Sequence, residues 1–271
     1  MSDCLSNEQI QKICDLACRA GDKILELYAD ESCHSEFQIK EDQSPVTRAD
    51  LASHQMIYDG LSAHFPFQVI SEEGDLTNCH NMSQHCYWLV DPLDGTKEFI
   101  ARTDDFCINI ALIQDKRPIF GLIYAPISTQ LFYAQKGMGS FRRDAKGHEL
   151  RIFSHQPFDI NHFTIVMSRR HGAQLPMAMQ AKWPGCQIRK QGSALKFCSV
   201  AEGSADLYLR MGRTSLWDTA AGQIILEEAG GKLVDSQGIP LSYSTDSLIN
   251  GDFWAVGDYS CPHNFIRMLW N

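Results

Sequence analysis

The 271-residue sequence has no long apolar run. A membrane-crossing helix needs about 18 or more consecutive apolar residues, so no integral membrane segment is expected. The chain opens MSDCLSNEQIQ, with no basic stretch followed by an apolar one, so no export signal is expected. There is no internal repeat and no low-complexity linker. Positive charge is scarce: 24 Lys and Arg stand against 33 Asp and Glu, a net charge of −9. Such a chain gains no sequence-independent attraction to a phosphate backbone, which argues against a nucleic acid polymer as partner. A disulfide framework is also absent from the expectations. Ten cysteines in a chain without an export signal point to reduced thiols and a cytoplasmic location. Cys79, His80, His85 and Cys86 cluster in DLTNCHNMSQHC, but the two Cys-His pairs lack zinc-finger spacing, and a polar surface loop is the better reading.

What is present is enough to build a core: 44% hydrophobic and 21% charged residues. The length suits one large domain or two smaller ones. Ser6 and Gln9 form a capping-box pattern, and Ile10, Ile13, Cys14, Ala17, Ile24, Leu25 and Tyr28 recur near helical spacing over 6–29. Residues 31–44 are polar with charges of both signs and read as a mobile loop. A second helix is expected from about Arg48 to His64, with Leu51, Ile57, Leu61 and Phe65 on its apolar face and Pro66 as its stop. Strands are predicted at 67–71, 87–91, 108–114, 119–125 and 130–136, the last three as an antiparallel meander. KGMGS reads as a hairpin turn. The second half alternates strand (164–168), helix (192–203), strand (205–210), helix (217–231) and two more strands, and closes with a helix at Pro262–Trp270. A soft boundary near 150 separates a helix pair plus antiparallel sheet (1–150) from an α/β part (151–271).

Carboxylates sit at four element ends. Asp50 follows Thr47 in SPVTRAD, Glu72-Glu73 follow the strand FQVIS, Asp91 and Asp94 bracket the turn in DPLDG, and Asp218 opens the helix WDTAAG. Each has an ordinary explanation: the acid of a capping box, a solvated loop, a turn pair or a helix N-cap. If they converge, they cannot sit together without a counterion, because like charges a few ångströms apart raise one another's pKa. Magnesium, an oxygen-seeking cation often shared with substrate phosphates, meets that need. In DPLDG the two aspartates can face one site, and the Leu93 carbonyl between them offers a third oxygen. Pro92 stiffens the turn, and Gly95 lets the backbone approach a ligand. A helix starting at Thr96 would present free N–H groups to an anion. Carboxylates that hold metal beside a helix N-terminus describe a metal-dependent phosphatase.

EEG (72–74), DPLDGT (91–96) and WDTAAG (217–222) resemble the three signature motifs of the lithium-sensitive, magnesium-dependent phosphatase superfamily. That group holds inositol monophosphatases, fructose-1,6-bisphosphatases and 3′(2′),5′-bisphosphate nucleotidases. SPVTRAD, WLVDPLDGTKEFI, INIALI, GLIYAP, GSALKFC and VAEGSADLY extend the resemblance over most of the chain, towards the nucleotidase branch. The resemblance implies an α+β fold, a layered α-β-α-β-α sandwich of the inositol monophosphatase type. It implies two or three Mg2+ ions bound by Glu72, Asp91, Asp94 and Asp218 through side chains and by Leu93 through its carbonyl. Asp50 and Thr96 would activate the attacking water, and Gly95 and Thr96 would hold the scissile phosphate through backbone N–H groups. The implied reaction removes the 3′-phosphate of adenosine 3′,5′-bisphosphate, with 3′-phosphoadenylyl sulfate as a second substrate. For the second phosphate, Lys196 in GSALKF is the first candidate, against a solvated helix lysine. Arg169 and Arg170 are weaker ones, and Gly192 and Ser193 would meet the sugar or its phosphate. Action on inositol or fructose phosphates, and a catalytically silent metal- or nucleotide-binding protein, are the alternatives. Monomer or homodimer, and rest on the inner face of the membrane as in some relatives, stay open, although no basic amphipathic helix is present to drive membrane binding.

Overall fold

A computed structural model describes residues 4–40, 43–77, 85–155, 158–169 and 181–258. The expected closing helix at Pro262–Trp270, together with Cys79, His80 and Arg170, lies outside the described residues. The first helix, Asn7–Ala29, begins with the capping box anticipated at Ser6: Gln9 N–H donates to Ser6 Oγ at 3.2 Å and Ser6 N–H to Gln9 Oε1 at 2.8 Å. It packs against helix Arg48–His64. The segment between them is more ordered than a mobile loop. It holds a helical turn, Ser32–Ser35, and strand Gln38–Ile39 pairs antiparallel with Pro45–Val46.

Both helices cover one face of a seven-stranded sheet. Its strands, in spatial order, are Gln68–Ser71, Cys86–Asp94, Cys107–Gln114, Arg117–Ala125, Gln130–Gln135, Gly139–Arg143 and Glu149–Ile152. The first pair is parallel and all later pairs are antiparallel, so the expected meander is present and is longer than three strands. Alternation along the strands distributes side chains to two cores. Trp88, Val90, Ile108 and Ile110 face the two N-terminal helices, while Tyr87, Leu89, Ala111 and Ile113 face the helices Leu195–Ala201 and Ala220–Glu228. Gly121 permits the second of these to lie close. A Cβ there would collide with Ile224 Cγ2 and lie 2.7 Å from the Ala221 carbonyl oxygen. KGMGS does turn a hairpin, and the Glu228 carboxylate accepts from Gly137 and Gly139 N–H, each at 2.8 Å.

The far side of that helical layer meets a five-stranded mixed sheet ordered Cys186–Lys190, Phe163–Met167, Leu207–Arg210, Phe253–Val256 and Lys232–Asp235. Helices, sheet, helices and sheet therefore alternate, as a layered α/β sandwich requires. Two helices start later than the patterns suggest. Gly192–Ala194 forms a loop before Leu195, and residues 216–218 form a separate 3₁₀ turn before Ala220. Leu51 does not join the buried face of its helix; it is 48% exposed, while Ala49, Asp50, Ser53, Ile57 and Leu61 point inward. Turning Asp50 inward rotates its neighbour outward, so a polar requirement overrides the apolar pattern there.

Candidate active site

Three local devices bring the carboxylates together. The first is a bulge. Residues three apart in a regular strand face opposite sides. Here Asp91 pairs with Asn109 and Asp94 with Cys107, so three residues on one strand span two on the other. The extra residue in Pro92-Leu93 re-aims Asp94 to the side of Asp91. The second is parallel pairing: Ser71 lies opposite Val90, and Glu72 N–H continues the ladder to the Val90 carbonyl at 3.1 Å. That sets Glu72 level with Asp91. The third is the 3₁₀ turn Leu216–Asp218, where Ser215 N–H donates to Asp218 Oδ2 at 2.8 Å.

Among the described residues, Glu72, Asp91 and Asp218 offer carboxylate oxygens that all lie within 4.8 Å of one another. Burial pushes the Asp91 carboxyl well above the ordinary range, and the charges of Glu72, Asp94 and Asp218 push it further. Asp218 is raised for the same reasons, burial first and then Asp94 and Glu72. Three carboxylates at this spacing, Asp91 buried and Glu72 and Asp218 partly so, are a hard-cation donor set, so the residues present fit a divalent metal. A cation already serves part of the cluster. Lys40 Nζ lies 2.9 Å from Glu72 Oε1 and 2.5 Å from Glu73 Oε1. Burial works against its charge, but the two carboxylates outweigh that and hold its pKa above the usual lysine value.

Asp94 lines the same cleft but stands apart from the triad. Its Oδ2 accepts from Ala194 N–H at 2.5 Å and Asn109 Nδ2 at 3.1 Å. Burial raises its carboxyl, and the Lys196 charge opposes that rise. The Leu93 carbonyl oxygen lies beside it, 3.3 Å from Thr96 Oγ1. Gly95 starts helix Thr96–Ile100 at φ +99°, a left-handed conformation suited to glycine. Thr96 Oγ1 donates to Asp50 Oδ1 at 2.8 Å. The other Asp50 oxygen accepts from Thr47 N–H at 2.8 Å and Thr47 Oγ1 at 2.6 Å. Burial raises the Asp50 carboxyl, and these hydrogen bonds partly counter it.

The cleft has a volume of about 380 Å³ and adjoins an inner cavity of about 140 Å³; Asp94, Gly95, Glu98, Arg210, Thr214 and Asp218 border both. Gly192 and Ser193 line the inner cavity. Lys196 lines neither. It is buried, 4% exposed, with Nζ donating to the Ser193 carbonyl and lying 5.0 Å from the Tyr208 ring centre. It is therefore not a solvated helix lysine. Arg169 turns to Asp105 instead. The cations on the cleft wall are Lys97, Arg210 and Arg213. The two arginines passed unnoticed in the sequence, although both lie within eight positions before Asp218, on the run that leads into WDT. Lys40 was hidden in a segment read as loop. His85 pairs with Asp115 at 3.1 Å on an exposed surface.

The sequence profile of the inositol monophosphatase family matches residues 6–261. The 3′(2′),5′-bisphosphate nucleotidase CysQ of Salmonella typhimurium is 40% identical over 248 residues, 90% of this chain and 98% of that one. The CysQ of Haemophilus influenzae is 35% identical over 264 residues, covering 94% and 95%. Among solved structures, CysQ from Bacteroides thetaiotaomicron superposes with a TM-score of 0.79 at 34% identity over 91% of this chain and 96% of that one. An inositol monophosphatase from Anabaena gives 0.73 at 25% identity, covering 97% and 95%.

Proposed function

The chain belongs to the inositol monophosphatase family, and from that premise we propose that its cleft removes the 3′-phosphate of adenosine 3′,5′-bisphosphate, giving AMP and phosphate. The enzymes of this family are metal-dependent, and Mg2+ is the ion proposed here, two or three per site. The observation that carries the reading is one cleft lined by both acidic and basic groups. The Glu72, Asp91 and Asp218 carboxylates converge there, and Arg210 and Arg213 line the same cleft. A substrate with two phosphates needs both kinds of group. The nucleotidases 34–41% identical over most of the chain support the choice of a nucleotide over an inositol or sugar phosphate.

Glu72, Asp91, Asp94 and Asp218, with the Leu93 carbonyl, are the groups proposed to hold the metal. Bound there, a divalent cation supplies Lewis acidity towards the phosphate and makes water a better nucleophile near neutral pH. The protein supplies position and proton handling. Asp50, fixed by Thr47, accepts from the Thr96 hydroxyl. That orientation leaves the Thr96 oxygen lone pairs free to receive a proton from water, with Asp50 as the acceptor behind it. The Gly95 and Thr96 N–H groups at the helix start hold the phosphate oxygens. Gly192 and Ser193 contact the sugar or its phosphate, and Arg210 and Arg213 bind the second phosphate by charge-assisted hydrogen bonds. Positioning and charge neutralisation then account for most of the catalysis, as is usual in phosphoryl transfer.

The test is phosphate release from adenosine 3′,5′-bisphosphate, 3′-phosphoadenylyl sulfate, inositol 1-phosphate and fructose 1,6-bisphosphate, with and without magnesium and lithium. The expected order places the two nucleotides first, with activity lost without magnesium and inhibited by lithium. Faster release from inositol 1-phosphate than from either nucleotide would overturn the substrate assignment.

A further inference from the structure

Asp105 belongs to the link between helix Thr96–Ile100 and strand Cys107–Gln114. The link is held in a demanding shape. Arg102 and Asp104 take positive φ of 52° and 64°, Tyr28 Oη donates to Asp104 Oδ1 at 2.7 Å, and Thr103 N–H donates to the Glu98 carbonyl at 3.1 Å. The result aims Asp105 at the smaller sheet. One oxygen, Oδ2, accepts from Gly192 N–H at 3.0 Å and from Arg169 Nε at 2.5 Å. These donors follow the ends of two adjacent parallel strands, Cys186–Lys190 and Phe163–Met167. Their neighbours, Ser193 and Ser168, line the inner cavity. The contact is tight on both sides. A Cβ on Gly192 would lie 2.7 Å from both Asp105 Cβ and Glu98 Cγ, and a Cβ on Gly95 would lie 3.0 Å from the Asp105 carbonyl.

We propose that Asp105 is a positioning residue that sets the width of the inner cavity by drawing the Ser168 and Ser193 segments of the smaller sheet onto the helix that opens at Thr96, and that it thereby sets affinity for the nucleoside monophosphate portion of the substrate. This rests on the nucleotidase reading above. Asp105 touches neither the carboxylate triad nor Asp50. Its effect therefore falls on the part of the ligand that is not hydrolysed. With the clasp open, Gly192 and Ser193 lose their registration against Gly95, and the sugar side of the substrate loses its wall. Glu72 and Asp91 line only the outer cleft, Asp218 stays held by Ser215 N–H, and Asp94 keeps its bond from Asn109 when Ala194 shifts.

The experiment compares wild type with Asp105→Ala and Arg169→Gln. Four quantities are read: kcat and KM for adenosine 3′,5′-bisphosphate, the Kd of AMP by calorimetry with magnesium present, and the magnesium concentration for half-maximal activity. Hydrogen bonds to charged groups are worth enough that loss of the clasp should raise KM and the AMP Kd by about tenfold or more. The magnesium requirement should stay unchanged and kcat within about threefold, since no group that acts in the transition state is lost. Arg169→Gln, at a half-exposed side chain, carries the test if Asp105→Ala fails to fold. An unchanged AMP Kd overturns the proposal. So does a parallel loss of kcat and magnesium affinity, which marks general loosening. Failure of the underlying reading is visible separately, as wild-type protein that releases no phosphate from the nucleotide.

Discussion

Thr96 Oγ1 and Asp50 Oδ1, 46 positions apart in sequence, are joined by a hydrogen bond of 2.8 Å. One oxygen of Asp50 completes the capping box of helix Arg48–His64, and the other reaches the start of helix Thr96–Ile100. The helix-capping role of Asp50 and its proposed proton-accepting role thus fall on the two oxygens of one carboxylate. Helix capping fixes the rotamer, and the fixed rotamer presents an acceptor to the threonine.

Thr96→Val keeps the shape of the side chain and removes the hydroxyl. If that hydroxyl passes a proton to Asp50, kcat should fall by about 100- to 10,000-fold, as for loss of a general base, with KM changed only a few-fold. Thr96→Ser should restore most of the rate. Steady-state kinetics with the bisphosphate decide it, and a valine variant with near-wild-type kcat would remove Thr96 from the reaction.

The carboxylate triad makes the metal-free protein sensitive to pH in a defined direction. Burial and mutual charge hold the Asp91 and Asp218 carboxyls above their unfolded values. Between those two values the folded chain keeps protons that the unfolded chain has released, so stability falls as pH rises out of the ordinary carboxylate range near 4. Chelator-treated protein should therefore melt at a lower temperature at pH 8 than at pH 5. Magnesium should restore the loss at pH 8, by about 2.7 kcal/mol at one hundred times its Kd. Melting curves with and without magnesium test both statements, and a metal-free Tm that rises from pH 5 to pH 8 would contradict the first.

Asp91→Asn should separate stability from function. Asparagine keeps an oxygen for the Leu93 N–H, which Asp91 Oδ1 now accepts at 3.1 Å, and removes one of the crowded charges. Each unit of pKa shift relieved is worth about 1.4 kcal/mol. The metal-free variant should melt above wild type while activity and the stabilising effect of magnesium are lost. An equal loss of metal-free stability would mean that the acids do not repel one another as their burial implies.

The sequence made the site legible where chemistry is carried by short contiguous motifs. DPLDGT contains its own bulge, its carbonyl and its helix start, so Asp91, Leu93, Asp94, Gly95 and Thr96 arrive together in space. It was opaque where a residue's meaning depends on what it faces. Leu51 looked like core until Asp50 turned inward. Lys196 looked like a surface lysine or a phosphate ligand, and is instead buried beneath the Ser193 carbonyl. Lys40 and Asp105 sit in loops whose spacing says nothing of their partners, which lie 32 or more positions away.

The proposed position of the second phosphate rests on which cations face the cleft. Lys196 reaches neither cavity, and its charge acts on Asp94 and its stem on the Tyr208 ring. Arg210 and Arg213 border the cleft, and Arg210 Nη2 donates to the Arg213 carbonyl at 3.1 Å, which ties the two residues into one turn. A guanidinium can grip a phosphate through two parallel N–H bonds. Arg213→Ala should therefore raise KM for adenosine 3′,5′-bisphosphate by about tenfold, the value of one charge-assisted hydrogen bond, and leave KM for adenosine 3′-monophosphate nearly unchanged. Lys196→Met, which keeps the buried stem, should weaken turnover of both nucleotides alike, because it acts through Asp94. Kinetics on the pair of substrates distinguish these roles. Selectivity lost in the lysine variant and kept in the arginine variant would return the second phosphate to Lys196.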